Sequence, residues 1–276
     1  MISSTSVKRS PFTFFALVFA LSIPFWLARA LTSFELLPAQ PVTSLMVVCP
    51  VTAAAILVYR QNEFTGVNDL LKRAFDFKRV TAKIWYVPTL LLCPCTAVLS
   101  YAVMRLLGVA VPAPTFSVGM VLLSFVVYFI GALGEELGWS GYAIDPLQER
   151  FGALGGALLL GVVWTLWHWV PFLEGHLSLA FILWWSLGMV AWRVMIVWLY
   201  NNTGRSVFVA ALFHAMINLS WGVFPPALSY YDPRVTSLIT AIMAAVVVMV
   251  WGPHTLTRFD THSGRKEGSG HVSISQ

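Results

Sequence analysis

Charged side chains are scarce in this sequence. Only 11% of its 276 residues are Asp, Glu, Lys or Arg, whereas soluble domains carry about 25%. Hydrophobic residues make up 58% of the chain, and it contains 12 tryptophans. A soluble core cannot explain this deficit of charge. The composition therefore excludes a water-soluble enzyme and indicates a polytopic membrane protein.

Cysteine is scarce as well. The three cysteines, Cys49, Cys93 and Cys95, all lie inside apolar runs, where a free cysteine usually behaves as a small buried hydrophobe. The Cys-Pro-Cys spacing at 93–95 is not a standard one for a metal or redox pair. We therefore interpret these residues as packing side chains.

Long apolar stretches account for most of the chain. Eight of them have the length of about 20 residues and the lack of charge that a helical span requires. We place them at about 12–28, 42–59, 84–107, 117–141, 152–172, 178–200, 206–225 and 235–252. The predicted fold is an all-α transmembrane helical bundle of about eight spans, with residues 1–262 as a single membrane-embedded domain. The polar tail, 263–276, is predicted to be disordered.

The basic residues are distributed unevenly between the loops. If the spans alternate, 13 of the 17 Lys and Arg fall on one side. Only Arg29, Arg105 and Arg234 fall on the other, and Arg193 lies within a span. This asymmetry predicts that both termini are cytoplasmic. It explains the net charge of +5 without a nucleic-acid partner, and it predicts that the basic segment 60–83 faces anionic lipid.

Polar side chains interrupt three of the apolar runs. Glu135 and Glu136 close one run, His168 lies in another, and His214 and Asn218 share a third. His214 and Asn218 are four residues apart and therefore lie on one helix face. A carboxylate or imidazole within a span is costly unless it is paired, bound to metal or placed in a wet cavity, so these residues predict a functional site. Together they suit the activation of a water molecule.

Each motif alone also has an ordinary interpretation. The glutamates would end a helix at the lipid headgroups, His168 would be a satisfied core histidine, and His214 with Asn218 would form a polar contact between helices. The three motifs can meet only if the helix that carries Glu135 continues past Pro146 to about Gln148. Pro146 is the expected stop or kink.

These motifs resemble the signature of the CPBP (Abi) family of intramembrane proteases. That family includes type II CAAX prenyl endopeptidases and bacterial proteins linked to bacteriocin processing and immunity. Its motifs are two glutamates followed four residues later by arginine, an aromatic residue four before histidine, and histidine four before asparagine. The resemblance covers about residues 117–222, the expected catalytic half, in the manner of a bacterial member. The matching residues here are Glu135, Glu136, Trp164, His168, His214 and Asn218.

One position departs from the family pattern. Ser140 stands where the motif has arginine, and serine cannot neutralise Glu136. Arg193 is the natural replacement because it is the only basic residue deep in a predicted span, so we predict an ion pair between Arg193 and Glu136. Trp164 shares a helix face with His168 and is predicted to pack on its imidazole.

The resemblance implies an intramembrane endopeptidase in the bacterial cytoplasmic membrane that hydrolyses a membrane-associated peptide or protein near the cytoplasmic side. Glu135 is expected to be the general base, His168 to orient the water, and His214 with Asn218 to stabilise the oxyanion. No cofactor is certain. The alternative is a divalent metal such as zinc held by these same four side chains.

Two other classes of function remain open on the sequence. The first is a catalytically inactive relative that acts as a membrane binding or bacteriocin-immunity protein, for which Ser140 is the best support. The second is a transporter, since intramembrane Glu, His and Arg are common there. A transporter predicts polar residues in both halves of the chain, whereas here they are confined to the second half.

Overall fold

The architecture is a bundle of α-helices. The computed structural model describes residues 9–32, 35–37, 40–113, 117–223 and 232–258. Within these ranges the chain forms eight α-helices: α1 (Pro11–Leu31), α2 (Cys49–Lys72), α3 (Tyr86–Leu106), α4 (Val118–Gly138), α5 (Ile144–Glu174), α6 (Leu179–Asn202), α7 (Val207–Val223) and α8 (Pro233–Trp251). The predicted tail, 263–276, lies outside the described residues.

Shorter elements connect these helices. They are the antiparallel pair β1 (Glu35–Leu37) and β2 (Gln40–Pro41), the 3-10 segments Val42–Val48, Arg73–Arg79 and Lys83–Trp85, and the π-helical turn Trp139–Ala143. The span predicted at about 42–59 thus begins as a 3-10 segment. Its helix continues beyond the expected end, with a break in the backbone at Asn62 and Glu63, where Glu63 has a φ of 52°.

Length and composition confirm an all-α membrane bundle. Among the described residues, six helical segments are long and apolar enough to cross a membrane. They are Pro11–Leu31, Val42–Arg79, Lys83–Leu106, Val118–Glu174, Leu179–Asn202 and Pro233–Trp251. Val118–Glu174 joins α4, the π turn and α5 in one run of 57 residues, and α7 is a shorter apolar helix. The count of eight spans and the side of the termini stay predictions.

The chain reverses direction within α5. The helix that carries Glu135 continues through Pro146, as the convergence of the motifs requires, and the expected stop at that proline is wrong. The break lies at Gly152, whose φ of 71° and ψ of 171° are not helical. Glu135 Oε2 and Trp164 Nε1 are 2.8 Å apart, whereas 29 residues of straight α-helix would separate them by about 43 Å. The second part of α5 therefore runs back along α4.

The site depends on close packing at two glycines. A Cβ on Gly138 would lie 2.5 Å from the backbone oxygen of Pro50, so only glycine lets α4 approach α2 this closely. A Cβ on Gly161 would lie 3.2 Å from the Cβ of Arg193, which brings α5 against α6. Small residues at such contacts are typical of membrane helices. The second contact sets Arg193 beside the functional site.

A polar network fixes the π turn and the start of α7. Arg73 donates to the backbone oxygen of Gly141 at 2.8 Å and to the Tyr200 hydroxyl at 2.8 Å. Asp76 accepts from the Ser206 hydroxyl at 2.8 Å and from the backbone N–H of Phe208 at 3.0 Å. A carboxylate at a helix N-terminus satisfies free N–H groups and interacts favourably with the helix dipole. The 3-10 segment Arg73–Arg79 thus ties α7 to the turn that follows α4.

A second carboxylate begins α8. Asp232 accepts from the backbone N–H of Arg234 at 2.9 Å and from its guanidinium at 2.7 Å. The guanidinium bond holds the pKa of Asp232 below its usual value. The cap fixes where α8 starts, and the first turn of α8 reaches the cavity described below.

Candidate active site

The three motifs line one cavity inside the bundle. Its volume is about 210 Å³, far above the ~10–15 Å³ that one water requires on this measure. Glu135 of α4, Trp164 and His168 of α5, and His214 and Asn218 of α7 all contribute to its wall. The convergence that the sequence predicted is therefore present. The cavity has room for several waters or for a short stretch of substrate.

Glu135 directs one carboxylate oxygen into this cavity. Its Oε2 accepts from the indole N–H of Trp164 at 2.8 Å and from that of Trp139 at 3.3 Å. Its Oε1 has no hydrogen-bond partner among the described residues. Two indole donors on one oxygen hold the carboxylate in a single orientation, and they leave the other oxygen free to bind a water or a proton.

Glu136 lies behind the cavity because adjacent residues point about 100° apart on a helix. It is fully buried. Arg193 Nη1 lies 2.9 Å from both of its oxygens, so the predicted ion pair is present. The Ser140 hydroxyl donates to Oε2, and Nδ1 of His214 lies 3.0 Å from Oε1. The serine thus supplies a hydrogen bond at the motif position, and α6 supplies the positive charge.

Trp164 connects the two glutamates. Its indole N–H donates to Glu135, while its ring lies 4.2 Å from the guanidinium carbon of Arg193. Stacking a guanidinium on a tryptophan face is favourable when the cation is withdrawn from water. Two guanidinium nitrogens of Arg193, Nε and Nη2, have no hydrogen-bond partner within the described ranges. The indole face therefore provides part of the environment that a hydrogen bond would otherwise provide.

The two histidines are held through the same ring nitrogen. Nδ1 of His168 lies 2.9 Å from the backbone oxygen of Trp164. A carbonyl only accepts, so Nδ1 carries the hydrogen and Nε2 of the neutral ring is an acceptor. Nδ1 of His214 likewise faces the carboxylate of Glu136. Both rings meet Trp164 edge-on, at 5.4 Å for His168 and 5.2 Å for His214. The predicted packing of Trp164 on His168 is confirmed.

Some contributors were not anticipated from the sequence. Trp139 stands four residues after Glu135, and this spacing on one helix face was the available signal. The donor role of Trp164 toward Glu135 was also missed. No sequence signal marked the remaining wall of the cavity, which α3 and α8 provide. The residues of that wall are Cys93, Thr96, Ala97, Thr236 and Ser237.

The residues do not form a metal site as they are placed. Across the described ranges, no group of three or more His, Cys, Asp or Glu side chains is arranged to hold a metal ion. Both imidazoles already use one nitrogen in a hydrogen bond to the protein. Cys93 is buried, Cys95 is exposed, and both are free. No step below is derived through a metal.

An enclosed polar cavity within an apolar helical bundle defines a class of protein, the membrane-embedded hydrolases. Comparison with known proteins gives the family. Residues 114–220 match the Rce1-like family model, described as type II CAAX prenyl endopeptidase Rce1-like. CAAX prenyl protease 2 of Methanococcus maripaludis is 27% identical over 237 residues, which cover 78% of this chain and 85% of the relative. The chain is a CAAX protease-like member of the CPBP family, and in general terms an intramembrane endopeptidase.

Proposed function

We propose that the protein hydrolyses a peptide bond with a water activated by Glu135. The observation that supports this most is the asymmetry of the Glu135 carboxylate, with Oε2 held by two indoles and Oε1 available to the cavity. A positioned carboxylate in a low-dielectric site is an effective general base. His168 is close enough for its charge to interact with that of Glu135, and its free Nε2 accepts a hydrogen bond from the same water.

In the first step the water oxygen bonds to the carbonyl carbon of the substrate, and Oε1 of Glu135 takes a proton from that water. The carbonyl oxygen becomes an oxyanion. In the second step the carbon–nitrogen bond breaks, and Glu135 returns the proton to the leaving nitrogen. The products are a new carboxyl terminus and a new amine. No serine or cysteine nucleophile is required.

His214 and Asn218 would stabilise the oxyanion. The Nδ1–H of His214 donates to Glu136, so a protonated ring presents Nε2–H to the cavity. The Asn218 amide has no hydrogen-bond partner in the described part of the chain and lines the same wall. Donors of this kind contribute about 3–4 kcal/mol each. With His214 protonated, two glutamates face one arginine and one imidazolium, so the buried cluster is neutral overall.

The proposal does not require the arginine of the family motif. Ser140 favoured a catalytically inactive relative because a buried carboxylate without a countercharge tends to become protonated. Arg193 supplies that countercharge from α6, at 2.9 Å from both oxygens of Glu136. The departure at Ser140 therefore no longer argues against turnover.

We further propose that cleavage occurs near the cytoplasmic side, in a bacterial cytoplasmic membrane, with the segment 60–83 facing anionic lipid. The support is the distribution of basic residues, with 13 of 17 on one side of the predicted spans. A protease site placed after Gln276 should be cut only from the cytoplasmic side of sealed vesicles. Cutting from the other side would reverse the orientation.

Two assays test the activity. The name of the relative makes a prenylated CAAX peptide the first substrate to offer to purified protein in detergent. Membrane proteomes of cells with the wild-type protein and with Glu135→Gln are compared in parallel. Cleavage of the peptide, or accumulation of uncut membrane proteins only with Glu135→Gln, supports the proposal. A wild-type protein without any cleavage in both assays would instead indicate an inactive relative.

Chelation separates the water mechanism from the metal alternative. A strong chelator should change the rate less than about twofold if Glu135 activates water without a metal. Loss of activity that zinc restores would favour the metal route, with Glu135, His168, His214 and Asn218 rearranged as ligands. Zinc content of the purified protein provides a second readout that does not depend on activity.

A further inference from the structure

The cavity has a second wall that the catalytic motifs do not explain. It comes from α3 and from the first turns of α8, and both lie outside the matched residues 114–220. Thr236 and Ser237 of α8 contribute hydroxyl groups to this wall. Apolar side chains dominate the other surfaces, among them Trp185, Met189 and Trp192 of α6. The cavity is thus lined by hydroxyls on one side and by apolar groups on another.

These two hydroxyls differ from their neighbours in having no partner. The hydroxyl of Thr96 donates to the backbone oxygen of Leu92 at 2.8 Å, and that of Thr240 donates to the backbone oxygen of Thr236 at 2.8 Å. Threonines in helices usually bond to the preceding turn in this way. The hydroxyl of Thr236 is buried without any hydrogen-bond partner among the described residues. Ser237 also donates no hydrogen bond to them.

The space around Ser237 is provided by a glycine. A Cβ on Gly188 of α6 would lie 2.7 Å from the Ser237 hydroxyl oxygen. Any larger residue there would press on this hydroxyl at the edge of the cavity. The wall is therefore shaped so that both hydroxyls are kept and neither is bonded within the protein.

A substrate brings the matching groups. A peptide bond inside a membrane helix has its N–H and C=O bonded along the helix, and it must leave the helix to be attacked. Within a bilayer the released N–H and C=O groups are costly unless something bonds to them. A hydroxyl donates and accepts, so it can bond to either group.

We infer that Thr236 and Ser237 form a subsite that holds the main chain of the substrate next to the scissile bond. This rests on the proposed peptidase function and adds the substrate class: an unwound segment whose apolar side chains lie against α6 and whose amides bond to α8. The subsite lies outside the catalytic motifs, and it acts on binding.

The first test is a set of hydroxyl deletions. Thr236→Val keeps the shape of the side chain and should raise KM about fivefold, the effect of one hydrogen bond, with kcat within twofold. Ser237→Ala should act in the same direction. Thr240→Val is the matched control because Thr240 lies one turn further on α8, outside the cavity wall, and it should leave both constants unchanged. A fall in kcat alone with Thr236→Val would mean that the hydroxyl serves the attacking water, and unchanged constants would remove the subsite.

The second test does not depend on turnover. A fluorescent prenylated CAAX peptide is bound to Glu135→Gln protein, and its Kd is measured by fluorescence polarisation with Thr236→Val or Thr240→Val added. A parallel series replaces single amides of the peptide by esters, which deletes one N–H at a time. One ester should weaken binding to the parent, and Thr236→Val should remove that difference, as a double-mutant cycle requires.

The two failures are distinguishable. A peptide that binds with this coupling but is never cut would contradict the peptidase function and leave the subsite standing. Cleavage without any coupling at Thr236, together with an unchanged Kd, would overturn the subsite and leave the peptidase standing.

Discussion

The cavity in front of Glu135 and the closed cluster behind Glu136 are built around neighbouring residues, yet they treat a carboxylate in opposite ways. Around Glu135, both indole donors bond to one oxygen and the other oxygen has no partner among the described residues. Around Glu136, Arg193 contacts both oxygens, and Ser140 and His214 add further hydrogen bonds. One group is kept available for chemistry, and the other is fully occupied.

The difference teaches how a membrane bundle holds two glutamates in sequence. The 100° between adjacent residues separates them in direction, and Trp164 then serves both sides, as a donor to Glu135 and as a face for Arg193. A buried ion pair that loses one partner destabilises a protein strongly. Substitutions of the two glutamates should therefore have effects of different kinds, one on rate and one on stability.

The largest effect is expected from Glu135→Gln. Glutamine still accepts from both indoles but cannot take a proton from water, so cleavage should fall about 10²–10⁴-fold. The melting temperature should stay close to that of the wild type. Rates are measured on a cleaved peptide, and Glu149→Gln, at an exposed position of α5, is the control. A variant that keeps most of its activity would remove Glu135 from the role of base.

Glu136→Gln should mainly change stability. It leaves Arg193 without a countercharge in a fully buried position, and the free energy of unfolding should fall by about 3–5 kcal/mol. Denaturation in detergent micelles, followed by tryptophan fluorescence, measures this.

A double variant tests the cause of that loss. Glu136→Gln combined with Arg193→Met removes both charges and should recover much of the stability, since an apolar replacement of a buried pair is often neutral. A double variant less stable than Glu136→Gln alone would contradict the ion-pair explanation.

The two indoles should differ in their importance. Trp164→Phe removes the 2.8 Å hydrogen bond to Glu135 but keeps a ring near Arg193. A hydrogen bond to a charged group contributes about 1.5–3 kcal/mol, so kcat should fall about 10- to 100-fold. Trp139→Phe removes the longer bond of 3.3 Å and should reduce kcat less. The reverse order would mean that Trp139 is the donor that orients the base.

The smallest effect is expected far from both glutamates. Asp76→Asn keeps an acceptor at the start of α7 and removes only its charge, which should cost about 0.3–1 kcal/mol of stability. Activity should stay within twofold of the wild type. Asp69→Asn, at an exposed ion pair with Lys72, is the control and should have no measurable effect. A large loss of activity with Asp76→Asn would show that the position of α7 is more sensitive than this comparison assumes.

Much of the site could be predicted because its residues are unusual in their surroundings. A carboxylate or imidazole in an apolar run stands out, and the order and spacing of the motifs identify the family. Arg193 was predictable because it is the only basic residue deep in a predicted span, and its contact with Glu136 is confirmed. The all-α fold followed from the scarcity of charge, whereas the number of crossings stays a prediction.

Other features were not predictable because their cause lies in three dimensions. With 12 tryptophans in the chain, nothing in the sequence shows which indole N–H faces Glu135. Pro146 was expected to stop the helix, but Gly152 reverses it, because a proline near the start of a helix is tolerated. Thr236 and Ser237 are common residues in helices, and only the packing of α8 against α6 brings them to the cavity.

The π turn Trp139–Ala143 also has a consequence for the lengths of the two arms that it joins. A wide turn of this type holds one residue more than the same turn of an α-helix, and such turns are frequent at functional sites. Removing one residue between Trp139 and Ala143 would let the backbone relax to the common helical form and would rotate everything after it by about 100°. Trp164 and His168 would then point away from Glu135, although every side chain of the three motifs would still be present.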